Sequence, residues 1–353
     1  MAFSRSILSL ALIAAALPRP AVAAPPAADA AHPLAGNEIT AELQKGVDLG
    51  LAALAKRQDR SGNFGQREED RHAGITSLCA MAFMQAGNLP GRGRYGPQVE
   101  RALQFVLASC QESGLIACDS RTPPMYGHGF STLFLAEVYG MTGDERVKEK
   151  LQKAVKLIQK SQNADGGWRY QPAPQDADIS VTICQVMALR AARDAGIKVE
   201  KETIDRAIEY VRKCQNVDGG FSYMANSGGP GMGGSGYGRT GAGLASLYYA
   251  GVSEGKEIDK ALEFLNGPRN RGEGEGHYYY AQYYVVQAMF LAGGANWVKH
   301  FPAVRKQLLD KQNKTTGLWS GEHSEEYCTA MSLLVLQMPN RYLPVYSGKG
   351  PGS

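Results

Sequence analysis

The chain has 353 residues, 44% of them hydrophobic and 20% charged, which suffices for one large core or two ordinary ones and excludes a disordered chain. Lysine and arginine number 38 against 34 acidic residues, a formal net charge of +4. That balance gives no electrostatic reason to expect nucleic acid or an anionic membrane as partner.

Residues 1–23 read as a cleaved export signal: Arg5 gives a basic start, Ile7 to Leu17 an apolar stretch, and Ala21-Val22-Ala23 the small-x-small cleavage pattern. The apolar run is about half of the roughly 20 residues needed to span a bilayer, and Pro18 and Pro20 end it. No other segment is apolar enough to span, so an exported protein, periplasmic or secreted, is expected, with no transmembrane segment after cleavage. Residues 24–36 are an Ala/Pro-rich leader without helical periodicity. The fold is expected over 37–343, with 344–353 a disordered tail.

From Asn37 onward one unit recurs: an amphipathic helix ending in Gln, a Gly-aromatic turn, a polar loop and a second, more apolar helix. The third copy runs Leu151, Ala154, Val155, Ile158 into Gln162-Asn163-Ala164-Asp165-Gly166-Gly167-Trp168. The fourth runs Ile204, Ala207, Ile208, Val211 into Gln215-Asn216-Val217-Asp218-Gly219-Gly220-Phe221. Both apolar sets fall at i, i+3, i+4, i+7, the spacing of one helix face. First helices recur before Gln58, Gln111 and Gln312 and around Ile258 to Leu265, making six copies. The turn decays outward to Ser61-Gly62-Asn63-Phe64, Ser113-Gly114-Leu115 and Thr316-Gly317-Leu318-Trp319; the fifth copy keeps only Arg271-Gly272-Glu273-Gly274.

Second helices read Thr76 to Ala86, Ser131 to Tyr139, Val181 to Ala192, Gly241 to Ala250, Ala281 to Ala292 and Thr329 to Gln337. Apolar on most sides, they belong inside. Six such hairpins give an all-α fold with an inner ring of helices wrapped by an outer one. Neither end carries the polar capping repeat that an open solenoid needs, so the array is expected to close into an α/α toroid. Cys79, Cys184 and Cys328 sit in apolar helical stretches as buried thiols; Cys110 and Cys118 are the candidate disulfide.

The stretches Ala154 to Trp168 and Ala207 to Phe221 resemble the Gln-Trp repeats of squalene and oxidosqualene cyclases and the repeats of protein-prenyltransferase β subunits, and the resemblance covers residues 40 to 340. It implies that the residues just before each second helix converge on one mouth of a central cavity. Aligned on those helices, His72, Gly127 with His128, Asp178, Gly236, His277 and His323 share one repeat position.

Squalene cyclases protonate substrate with the middle acid of Asp-x-Asp-Asp, and the nearest match is Asp176-Ala177-Asp178-Ile179, which lacks the third acid. Asp178 also reads as the N-cap of its helix. Prenyltransferase β subunits hold zinc with Asp-x-Cys and a His; Glu275, His277 and His323 are the corresponding donors here, and the activating cysteine is missing. Tyr278, Tyr279, Tyr280, Tyr283 and Tyr284 could line the cavity or pack as core. The glycine-rich stretch from Ser227 to Gly243 has no preceding strand and no Lys-Ser/Thr ending; it fits a lid over the mouth, with Arg239 placed to meet an anionic group.

Three functions follow as expectations. The first is a toroid that binds an apolar or isoprenoid-like small molecule, or a peptide, at its mouth through His72, His128, Arg239, Tyr278 and Tyr279. The second is an isoprenoid cyclase or transferase with an acid or zinc there. The third is a polysaccharide lyase or hydrolase working through Asp176, Asp178 and Arg239.

Overall fold

The computed structural model of the chain describes residues 38–65, 72–118, 122–225, 233–267, 276–321 and 323–346. The expected signal and leader lie outside these residues, as do Glu275, the fifth turn at 271–274 and the first part of the glycine-rich stretch, 227–232.

Twelve α-helices alternate between two layers among the described residues. The outer ones are α1 (Ala41–Ala55), α3 (Gly96–Ala108), α5 (Glu145–Ser161), α7 (Lys201–Lys213), α9 (Lys256–Asn266) and α11 (Gly294–Lys311). The inner ones are α2 (Ala73–Gln85), α4 (Pro124–Thr142), α6 (Ile179–Asp194), α8 (Tyr237–Ala250), α10 (Tyr278–Ala292) and α12 (Glu325–Leu336). On α5 the buried set is Val147, Leu151, Ala154, Val155, Ile158 and Ser161, one stripe of an otherwise charged helix. On α6 every residue from Ile179 to Ala192 is buried, because neighbours cover it on all sides.

The inner helices form a closed ring. Each packs on the next, α2 on α4 and so on to α10 on α12, and α12 returns to α2. The toroid expected from the repeats is therefore present, and the open solenoid is not.

A recurring joint explains the Gln and Gly of the repeat. The Gln162 amide donates to Gly166 O at 2.8 Å, across its own turn, and to Thr203 O at 2.8 Å, on the first turn of the next outer helix. Gln58 does the same to Gly62 O and Gln98 O, and Gln215 to Gly219 O and Glu257 O. Gln312, in the last repeat, donates to Gly317 O at 3.0 Å and to Gly46 O at 2.9 Å, so the last repeat is stitched to the first by the joint that links interior repeats. The turn glycine lets these backbones meet. Gly166 has φ +100°, and a Cβ there would lie 2.1 Å from Arg206 O.

The residue after the glycines is pegged to the inner helix behind it. Backbone N–H groups of Phe64, Trp168, Phe221 and Trp319 donate to the Oγ1 of Thr76, Thr182, Thr240 and Thr329, at 3.3, 3.1, 3.0 and 3.0 Å. The indoles of Trp168 and Trp319 donate to Ile158 O and Leu308 O, folding each aromatic under its own outer helix.

Two sequence expectations are corrected here. Cys110 and Cys118 are free thiols: Cys110 Sγ donates to Val106 O at 3.3 Å, and Cys118 Sγ lies 3.6 Å from Ser109 Oγ. Residues 344–346, expected in a disordered tail, form a 3-10 turn with Val345 and Tyr346 buried. Residues 347–353 lie outside the described residues. No described helix is long and apolar enough to cross a membrane.

Candidate functional site

Every inner helix starts at one end of the ring, so six N-termini and the turns that precede them make a single rim. The caps that start them are His72, Pro123, Asp178, Gly236, His277 and Ser324. Four match the aligned positions. In the second repeat Pro124 at the first helical position starts α4 a turn early, which carries His128 into the helix. In the sixth, Ser324 caps α12 by accepting from Tyr327 N at 3.2 Å, leaving His323 one residue outside.

His128 is fully buried, and its Nδ1 accepts from Ile116 N at 3.1 Å. It thus holds the second turn as threonine does elsewhere, and burial pushes its imidazole down to about 4, so the ring is neutral. His72 uses its Nδ1 to accept from Gly74 N and Ile75 N at 3.1 and 3.4 Å, and burial lowers its pKa as well. It still lines a shallow surface hollow with Cys118 and Gly127.

Asp178 is the centre of the densest polar cluster. Its Oδ1 accepts from Val181 N at 2.8 Å, which confirms the cap, and its backbone N–H donates to Trp168 O at 3.0 Å. The side chain is fully buried, with Oδ2 lying 3.7 Å from Arg169 Nε and near Tyr223. Arg169 lies over the rings of Tyr170 and Tyr223, 5.0 and 5.9 Å from their centroids, and ion-pairs with the exposed Asp176. The hydroxyls of Tyr170 and Tyr223 bond each other. Their carbonyls receive Met125 N and Ile179 N, so each tyrosine's backbone finishes the start of the preceding repeat's inner helix.

Burial pushes the Asp178 carboxyl up, and the Val181 N–H and the Arg169 charge pull it part of the way back, leaving it raised to about 6. The acid is thus held between its charged and neutral forms near neutral pH. Tyr126, Tyr280 and Cys184 also feel its charge. Sequence reading found Asp176 and Asp178 but missed Arg169, Tyr170 and Tyr223. The available signal was that Tyr170 and Tyr223 both stand two residues after a turn aromatic, in consecutive copies.

Arg239 is in the first turn of α8 and folds back on its start: a Cβ on Gly236 would lie 2.6 Å from Arg239 Nε. Tyr278 turns outward, its hydroxyl 3.5 Å from Gln307 Oε1 and Lys311 over its ring. Tyr279 is buried and donates to Ser320 O at 2.9 Å.

His277 and His323 are brought together, their rings near-parallel with centroids 5.9 Å apart, and Tyr327 stands edge-on to His323 at 5.0 Å. His277 has φ +65°, a left-handed conformation seldom taken by residues with a Cβ. These two imidazoles border a second shallow hollow with Tyr279, Tyr280 and Cys328. Glu275, the third expected zinc donor, lies outside the described residues. Among the described residues no group of three His, Cys, Asp or Glu side chains is arranged to hold a metal ion, so the visible donors do not make up a zinc site.

The ring's interior is packed. Phe130, Tyr283 and Tyr284 are buried there, with centroid separations of 6.2 Å between Phe130 and Tyr283 and 4.9 Å between Tyr283 and Tyr284. Cys184 Sγ lies 3.1 Å from Tyr284 Oη. Of the two readings the sequence left open for these tyrosines, Tyr283 and Tyr284 take core packing.

Comparison with known proteins agrees with this architecture. Residues 100–341 match the prenyltransferase alpha-alpha toroid domain family. No curated protein matches the chain by sequence. Among solved structures, an inactive variant of the α-1,6-mannanase GH76A of Salegentibacter sp., with two neighbouring aspartates replaced and α-1,6-mannotriose bound, superposes with a TM-score of 0.65 at 10% identity, over 85% of this chain and 99% of that one. The type II terpene cyclase MstE of Scytonema gives 0.56 at 13% identity, over 86% and 99%. A family 76 glycoside hydrolase from a bovine Bacteroides thetaiotaomicron strain gives 0.63 at 10% identity, over 86% and 78%. At these identities the likeness concerns the fold alone.

Proposed function

Because the chain belongs to the prenyltransferase α/α-toroid family, whose model covers most of its repeats, we propose that it uses the barrel as a binding frame and takes a hydroxyl-rich ligand, of the saccharide class, at the rim around Asp178. The observation that carries this reading is the state of Asp178: a fully buried carboxylate with one oxygen fixed by Val181 N and the other only 3.7 Å from Arg169 Nε. Tyr223 also stands beside this buried acid, and a ligand hydroxyl reaching the cluster would add a donor to it. Arg169 supplies donors beside it, and the faces of Tyr170 and Tyr223 suit the apolar side of a sugar ring.

The packed interior favours a ligand held at the rim over an isoprenoid chain swallowed along the axis. Export through residues 1–23 belongs to the same proposal, since it would put the rim where free polysaccharide occurs; N-terminal sequencing of the exported protein tests it. The main test is calorimetric titration of the mature protein with a panel of neutral and acidic oligosaccharides. Binding that disappears in both Asp178→Ala and Tyr223→Ala is expected. No binding by any saccharide, or binding unchanged in both variants, would sink the reading.

A second reading, acid catalysis, draws on the carboxyl raised to about 6, which suits a group that gives up a proton near neutral pH. In it Asp178 donates a proton to a glycosidic oxygen or an olefin, and Asp176 with Arg169 balances charge at the surface. Product formation from the same panel, or from a prenyl substrate, that is lost in Asp178→Asn would favour this reading over binding alone.

A further inference from the structure

The end of the barrel opposite the rim is closed by the chain's own last described residues. The chain leaves α12 through a 3-10 turn, Met338–Asn340, and the next turn, Pro344–Tyr346, docks on α4 and α6. In the ring order α6 stands opposite α12, so the segment crosses the opening rather than following its edge.

The barrel reads this segment as peptides are read. Two alternate backbone N–H groups are met by side chains: Leu343 N donates to Gln85 Oε1 at 3.1 Å, and Val345 N to the two Glu137 oxygens at 3.3 and 3.4 Å. The Tyr346 hydroxyl is buried in the barrel 3.2 Å from Tyr283 Oη. Glu137 is an expensive residue to bury, and the hydrogen bonds it makes among the described residues are those from Val345, 208 positions away in sequence. Burial pushes its carboxyl up to about 8, so it sits there mainly neutral. Just before the buried part, Arg341 has φ +53° and Tyr342 is 46% exposed, so the segment is tethered through a surface link.

We propose that this end of the barrel is a peptide-binding site, occupied by residues 343–346 of the same chain, with Gln85 and Glu137 gripping the backbone and Tyr283 receiving an aromatic side chain. Backbone donors read at alternate residues with one side-chain pocket are the elements of short-peptide recognition. The grip would therefore outlast the covalent link.

The experiment uses the full chain with a specific protease site inserted between Arg341 and Tyr342, folded first and cleaved afterwards. Size-exclusion chromatography then asks whether the released fragment, residues 342–353, stays with the barrel. Co-elution is expected, as is exchange with a fluorescent synthetic copy. A synthetic copy carrying Tyr346→Ala should compete at least tenfold more weakly, and because the peptide bears that change no folding of the barrel is at stake. A fragment that separates at once, or a Tyr346→Ala copy that competes as well as the native one, overturns the proposal.

Discussion

Gln312→Ala tests whether the ring is closed energetically as well as geometrically. The Gln312 amide makes two bonds, to Gly46 O and Gly317 O, and the side chain is buried. Gly46 O lies within α1, where a helical bond also serves it, so the loss is near the net value of about 1 kcal/mol per neutral hydrogen bond, or about 2 kcal/mol for the pair. Gln162→Ala removes the same two bonds inside the array and sets the reference. In urea unfolding the two variants should lose equal stability, with unchanged slope. Gln312→Glu should cost more than Gln312→Ala, because it turns an acceptor toward two carbonyl oxygens. If Gln312→Ala costs less than about 0.5 kcal/mol while Gln162→Ala costs the full amount, the seam carries no energy and the reasoning fails.

Three further outcomes are expected. Asp178→Asn keeps the cap and removes the titration: the carboxyl lies near 6 when folded against the usual 3.8, so the folded state holds its proton longer, and wild-type stability should fall relative to the variant's as pH rises from 4 to 6. At roughly 1.4 kcal/mol per pH unit the gap approaches about 3 kcal/mol at pH 7, and wild type and variant unfolding at equal urea at both pH values would contradict it. Gly166→Ala meets Arg206 O at 2.1 Å in a left-handed backbone and should cost about 3 kcal/mol or more, read as a fall in melting temperature. His128→Leu strips Ile116 N of its acceptor and should cost about 1 to 3 kcal/mol in unfolding while leaving saccharide titration at the Asp178 rim unchanged.

The repeat was legible because its joint is made of residues that few others can replace. A donor amide must span two carbonyls, and a glycine must let a neighbouring backbone in, so Gln162, Gly166, Gln215 and Gly219 stand out at fixed spacing. Asp178 was legible for a similar reason, since a carboxylate before an apolar run is a helix start. His128 was misplaced because Pro124 moves the helix start, a local effect that the repeat alignment does not register. Tyr170 and Tyr223 are 53 positions apart and meet only because consecutive turns converge on one rim. Residues 344–346 look like a tail because nothing local buries them; their contacts come from α4, α6 and α10 across the ring.

The seam joint has a consequence for chain topology. Outer helices begin at the end of the barrel away from the rim, so Ala41, where α1 starts, and Tyr346 share that end. A ring whose last joint equals its interior ones has no privileged first repeat. Connecting the two ends with a flexible linker and opening the chain instead at the surface turn between α4 and α5, at Gly143 with its left-handed backbone and no neighbour within 4 Å of a Cβ, gives a circular permutant that keeps the four glutamine joints of Gln58, Gln162, Gln215 and Gln312. The order of the repeats along the gene then becomes a matter of ancestry, while their order around the barrel is what physics holds fixed.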